Sequence, residues 1–234
     1  MKSLREGHRE RLRQRYLHSG ENRLPDYDML ELLLTYAVPR RDVKSMARVL
    51  LREFHTLSGV LDASEEKLCE IPGIGPNSAV LISLIRSLCT RYLENHISGL
   101  DVLSTEDAVN DYVRMRLSPY TKEVFLLIFL DVKNQIIKTE VFAHGTTDSI
   151  VLNPKIIAQE ALANNSSGLI VAHNHPSGQT EPSLSDKDFT RKLQKVLLPL
   201  DIVLLDHLVV SRIDTFSFRN HHLLEGDYAG RNWK

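Results

Sequence analysis

Leu169–Asp186, LIVAHNHPSGQTEPSLSD, opens with four apolar residues that read as a buried strand and closes on a Ser-x-x-Asp. On a strand, residues i and i+2 point the same way, so His173 and His175 present both imidazoles to one point. Pro176 stops the strand, and the Pro176-Ser177-Gly178 turn leads towards Ser183, from which Asp186 returns an oxygen ligand. Two imidazoles and one carboxylate leave a fourth tetrahedral position for water, the pattern of a catalytic zinc site. A plainer reading fits the same residues. Ser183-Leu-Ser-Asp186 is also a capping box for the helix that follows, with Ser185 and Asp188 offering an overlapping one, and a His-x-His at a strand end also fits a solvated pair.

Working outward, the surroundings alternate helix and strand. Ser104-x-x-Asp107 caps a helix through about Leu117. Two strands follow around a turn at Lys133-Asn134, then a helix begun by Asn153-Pro154, the His-x-His strand, a helix over residues 186–198, and a strand over 202–210. That alternation argues for a mixed sheet with flanking helices. Towards the N-terminus almost everything reads helical. Leu30, Leu33 and Leu34 follow Asp26 as a cap, Met46, Val49 and Leu50 follow Asp42, and Val80, Leu81, Leu84, Ile85 and Leu88 mark a longer amphipathic helix. The expected class is α+β: an all-α domain over residues 1–96, a linker over 97–103, a mixed α/β domain with a central sheet flanked by helices over 104–225, and a tail over 226–234.

With 234 residues, 42% of them hydrophobic, the chain is long enough for one large or two modest domains. Cys69 and Cys89 fall in apolar helical stretches, which predicts two free, buried thiols and no disulfide framework. The N-terminus is charged without an apolar core, and no run approaches the length of a membrane span, so the expectation is a cytoplasmic protein without signal peptide or membrane segment. A net charge of −1, close to balance in both halves, excludes a polyelectrolyte. Arg5, Arg9, Arg11, Arg13 and Arg15, interleaved with Glu6 and Glu10, read as a solvated helix face or, with Arg40-Arg41, as a local patch.

Ile71-Pro-Gly-Ile-Gly75, between a short helix near Ser64 and a longer one near Pro76, resembles a helix-hairpin-helix. Gly73 and Gly75 would permit a tight turn and close backbone approach, so that helix-terminal amides bind a nonspecific DNA phosphate. Asn77 and Ser78 stand where Lys or Arg would add affinity, and a plain helical hairpin is the competing reading.

HNHPSG, at residues 173–178, followed by Pro182-Ser-x-x-Asp186 resembles the JAMM (MPN-type) metalloprotease motif and, within it, the RadC family. The likeness extends to GHRERLR at 7–13, YAVPRRDV at 36–43, IPGIGP at 71–76 and LDHLVV at 205–210, essentially the whole chain. It implies a JAMM/MPN-type domain after the linker, Zn2+ held by His173, His175 and Asp186, and Ser183 helping to stabilise an oxyanion. It also implies a glutamate from an earlier strand. Glu123, opening the run VFLLIFL, matches in order and context. Glu140, on the second strand of the hairpin, is the rival, and either would otherwise be a solvated strand-edge carboxylate. The implied activity is zinc-dependent hydrolysis of a peptide or isopeptide bond in an unidentified protein or peptide, with Glu123 as general base. Two alternatives stand beside it: a DNA-associated repair or recombination factor with a non-proteolytic zinc site, and an inactive interaction module. Asp206-His207 inside an apolar strand reads as a hydrogen-bonded structural pair. The His144-to-Thr147 loop and His221-His222 carry no assigned role.

Overall fold

The computed structural model describes residues 4–19, 24–39, 41–142 and 153–225, and of 4–6 the backbone alone. Arg40, the His144-to-Thr147 loop and the tail 226–234 lie outside the described residues. The chain forms two compact units, Met1–Cys89 and Thr90–Lys234.

The first unit is helical. It contains α1 (Leu4–His18), α2 (Asp26–Ala37), α3 (Lys44–Phe54), α4 (Leu57–Asp62), α5 (Glu65–Cys69) and the start of α6 (Pro76–Ile97). Leu30 and Leu34 on α2, Met46 and Leu50 on α3, Val60, Leu68 and Ile82 are buried together, as apolar residues three or four apart on one helix face should be. Two of the α1 arginines reach beyond their own helix, Arg9 and Arg15. Arg9 donates to the carbonyls of Thr35 (3.2 Å), Val38 (2.8 Å) and Arg41 (2.7 Å), where the end of α2 leaves carbonyls without helical partners. Arg13 pairs with Glu10 and Arg15 with Asp28.

Several local expectations are corrected. Pro25 precedes α2, and Asp26 lies in its first turn without capping it. On α6, Ala79 and Ile82 face the core, whereas Val80, Leu84 and Leu88 are exposed. Cys69 is exposed and Cys89 half-buried; both are free. On the short α5 it is Leu68 that turns inward, which leaves its neighbour Cys69 facing water.

The second unit is built on a five-stranded mixed sheet in the order β2-β1-β3-β4-β5, made of β1 (Phe125–Leu130), β2 (Ile136–Phe142), β3 (Gly168–Asn174), β4 (Val203–Val210) and β5 (Thr215–Ser217). Among the described strands β3 and β4 alone run parallel; β1 is antiparallel to both its neighbours and β5 to β4. β1 and the start of β3 read as unbroken apolar runs because both faces are covered. Leu126, Ile128, Leu130, Ile170 and Ala172 pack on Val109, Tyr112, Val113 and Leu117 of α7 (Glu106–Leu117). Phe125, Leu127, Phe129, Leu169 and Val171 pack on Ile157 and Ala161 of α8 (Pro154–Ala163) and on Leu193 and Leu197 of α9 (Leu184–Leu197). Strand parity therefore sends the odd-numbered side chains of β1 and β3 towards α8 and α9, and His173 continues that series. Residues 97–103 do not form an open connection: Ile97 and Val102 are fully buried in the core on the α7 side. Thr105, not Ser104, precedes α7, and Ser104 Oγ donates to the Asp101 carbonyl. Asn153 caps α8 as expected, accepting from the Lys155 amide. No helix among the described residues is long and apolar enough to cross a membrane.

Candidate metal centre

At the C-terminal end of β3 the chain brings four ligand-bearing side chains together. One donor atom each from Glu123, His173, His175 and Asp186 lies within 4.8 Å of every other. The two Nε2 atoms are 3.0 Å apart. His173 Nε2 lies 3.4 Å from Asp186 Oδ1 and 3.9 Å from Glu123 Oε1, and His175 Nε2 lies 3.7 Å from Asp186 Oδ2.

Each member is held by a different local device. His173 is wholly buried at the end of β3. His175 follows the strand, and Pro176-Ser177-Gly178 then reverse the chain, with Gly178 N–H donating to the His175 carbonyl at 3.0 Å. Gly178 takes φ +90, a left-handed conformation that glycine adopts without strain, and the reversal brings the Gln179 carbonyl 2.7 Å from His175 Nδ1. A carbonyl only accepts, so Nδ1 carries the hydrogen, and Nε2, which faces the cluster, is the nitrogen that gains or loses a proton, with its lone pair bare in the neutral ring. Asp186 is the third residue of α9, and its two oxygens divide the work. Oδ2 accepts from the Ser183 amide and hydroxyl, both at 2.7 Å, while Oδ1 faces His173. Ser183 Oγ accepts in turn from the Asp186 amide at 3.2 Å, which completes the capping box. The cap thus takes Oδ2, which also lies 3.7 Å from His175 Nε2, and leaves Oδ1 to His173.

Glu123 stands two residues before β1, half exposed on the open side. Its approach is fixed by Asn174, the residue between the two histidines, whose side chain points the other way. Asn174 Oδ1 accepts from the Val124 amide at 2.8 Å, and Nδ2 donates to the carbonyls of Tyr120 and Lys122. Asn174 was not singled out in the sequence, although parity gives a signal: the middle residue of an inward-facing His-x-His points to the opposite face, where a buried amide needs partners. Glu140 lies outside the cluster, on edge strand β2, paired with Lys138 at 2.6 Å.

The electrostatics suit a cation. Burial lowers the His173 imidazole to about 4, so it is neutral near pH 7. The Asp186 carboxylate beside it raises His175 against the opposing effect of burial. Burial works against an ionised Asp186, but His175, Ser183 and His173 outweigh it and hold the carboxyl well below its ordinary range. Glu123 is raised by burial and then by the neighbouring Asp186 charge. Two nitrogens and two carboxylates converging on one point at these separations form a donor set that zinc accepts, with Glu123 on the side open to solvent. A cleft of about 410 Å³ is lined by His175 together with Tyr120, Thr121, Arg212 and Ile213.

The expected nucleic-acid turn behaves differently at its two glycines. Gly73 has φ +92 and sits against Met46, so folding alone explains it, whereas a side chain at Gly75 would meet nothing within 4 Å. His221 stacks on Phe216, with its Nδ1 bonded to the Ser217 carbonyl.

Comparison with known proteins places these features in one lineage. Residues 103–223 match the family described as the RadC-like JAB domain, and residues 4–80 match the one described as the UPF0758 N-terminal domain. A UPF0758 protein of Ruegeria pomeroyi is 38% identical over 212 residues, covering 91% of this chain and 95% of its own. UPF0758 proteins of Burkholderia mallei and Burkholderia pseudomallei are each 38% identical over 206 residues, covering 88% of this chain and 74% of theirs. The first of the two matched regions contains all four members of the cluster.

Proposed function

This chain belongs to the RadC family, with a RadC-like JAB domain and a UPF0758 N-terminal domain, and from that premise we propose that it is a zinc-dependent hydrolase of peptide or isopeptide bonds. The observation that carries the reading is the convergence of Glu123, His173, His175 and Asp186 within 4.8 Å, with His175 Nδ1 held by the Gln179 carbonyl so that Nε2 faces the other three. His173, His175 and Asp186 would hold the metal. Bound there, zinc supplies Lewis acidity and lowers the pKa of an attached water towards ~7.

The rest of the chemistry belongs to the chain. Glu123, whose raised pKa suits proton exchange, takes a proton from the attacking water and passes it to the leaving amine. Asn174 holds the Glu123 backbone in register for that transfer. Ser183 donates to the developing oxyanion by exchanging its bond to Asp186 Oδ2, so it both orients a ligand and serves the substrate. The cleft beside His175 gives an extended segment a way in to the centre.

The test is Glu123→Gln beside Glu140→Gln, assayed with zinc analysis and a peptide library scored for new termini. Glu123→Gln is expected to keep its zinc while turnover falls by roughly 10²–10⁴. Glu140→Gln should leave both intact. Zinc lost from Glu123→Gln, or turnover unchanged in it, would overturn the assignment of Glu123 as proton carrier.

A further inference from the structure

His207 of β4 is completely buried next to the cluster and takes no part in the chemistry above. Its ring lies flat on Phe218, with centroids 4.6 Å apart, and Phe125 and Phe189 enclose it further. Such a site tolerates an imidazole only if both ring nitrogens are satisfied. Both are: Nε2 is 2.9 Å from His173 Nδ1, and Nδ1 is 2.6 Å from Thr190 Oγ1.

The direction of each bond follows from its far end. Thr190 Oγ1 lies 2.6 Å from the Asp186 carbonyl, which only accepts, so the single hydroxyl hydrogen of Thr190 is committed there. Thr190 can therefore only accept from His207, and His207 Nδ1 carries the hydrogen. Neutral in its buried site, His207 then has a bare Nε2, and His173 Nδ1 must donate to it. His173 in turn has a bare Nε2, facing His175, Asp186 and Glu123.

We propose that Thr190 and His207 are positioning residues that set the tautomer and ring orientation of His173, so that its Nε2 lone pair is presented to a metal before any metal arrives. The relay closes on itself. It starts at the backbone of Asp186 on α9, crosses His207 on β4 and ends at His173 on β3, so the two ligand-bearing elements are tied by a path with only one consistent set of hydrogens. A side chain fixing the far nitrogen of a ligating histidine also raises the ligand's basicity, and losing such a partner lowers metal affinity by roughly 10–100-fold.

This inference rests on the metal-centre reading for its purpose, but its first test does not need metal. In the full chain labelled with 15N at histidine and freed of metal, long-range proton–nitrogen correlation near neutral pH should show His173 protonated at Nδ1 and bare at Nε2. His173 protonated at Nε2 would overturn the proposal whether or not the protein binds zinc. The second test compares Thr190→Val with Thr190→Ser by competition against a chromophoric zinc chelator. Thr190→Val, which keeps the shape but not the acceptor, should mix the His173 tautomers and weaken zinc by roughly 10–100-fold, and Thr190→Ser should restore both. A Thr190→Val protein with wild-type zinc affinity and wild-type tautomer would sink the relay. Wild type that binds no zinc but shows the expected tautomer would sink the metal reading and leave the relay standing.

Discussion

Asp186 offers the sharpest separation of structure from function, because its two oxygens serve different ends. Oδ2 closes the α9 capping box, with His175 Nε2 at 3.7 Å, and Oδ1 carries no cap bond and faces His173. Asp186→Asn can keep its amide oxygen at the Oδ2 position, accepting from Ser183, and then turns towards His173 Nε2 an NH2 group, which cannot ligate a metal. Near pH 8 and without metal, the loss is that of a charge in the first turn of a helix, about 0.3–1 kcal/mol. Ser183→Ala does the reverse. It removes the N-cap hydroxyl at a cost of about 1 kcal/mol but leaves Asp186 Oδ1 in place. Zinc at about 100 times its dissociation constant stabilises a folded protein by about 2.7 kcal/mol, so urea unfolding of wild type and both variants, with and without zinc, gives each contribution separately. Asp186→Asn should unfold near wild type without zinc and gain almost nothing from it. Ser183→Ala should be weaker by about 1 kcal/mol in both conditions and keep most of the zinc increment. If Asp186→Asn retains the full increment, the carboxylate is a cap and not a ligand. If Ser183→Ala abolishes it, the separation of the two oxygens argued here is wrong.

Burial raises Asp206 to about 6 despite hydrogen bonds from Ser217 Oγ and the amides of Arg219 and His207. The folded state thus holds this proton more tightly than the unfolded chain, and the associated stability is complete below about 3.8 and lost as pH rises through about 6. Asp206→Asn, whose Oδ1 keeps both amide bonds while its NH2 donates to a Ser217 hydroxyl turned to accept, should therefore exceed wild type by about 3 kcal/mol near pH 8 and by nothing near pH 4, and a gain independent of pH would count against burial as the cause. For the second unit, a fragment starting at Thr90 should be more stable than one starting at Leu103, because the shorter one discards buried Ile97 and Val102, worth about 1.5–3 kcal/mol each; equal urea midpoints would show that these residues are dispensable. In the first unit, Gly73→Ala should cost about 1–2 kcal/mol for its left-handed backbone, while Gly75→Ala should be neutral or slightly stabilising, and calorimetry showing equal losses would mean that the turn is held by something other than the Gly73 conformation.

Which parts of this site could be read in the sequence follows from how far apart the cooperating residues lie. The shared direction of His173 and His175 is a property of one strand, and the Ser183–Asp186 box a property of one helix start, so period and spacing sufficed for both. The choice between Glu123 and Glu140 is not local. In the β1–β2 register Glu140 is level with Leu127, so both glutamates belong to the same face and parity cannot separate them. Strand order does. β1 pairs Phe125 with His173, and extending that register by two residues sets Glu123 level with His175, while β2 lies on the far side of β1 from β3. Residues 97–103 were misread for a related reason: their polar composition signals exposure, but Ile97 and Val102 are drawn into a core whose other walls come from α7 and the sheet. The His173–His207–Thr190 chain joins residues 34 and 17 positions apart on three elements, and no window of sequence contains it. What the sequence does carry is the anomaly itself. A histidine in the middle of IVLLDHLVV is costly unless both its nitrogens are bonded, and that requirement points to partners on neighbouring elements before any of them is known.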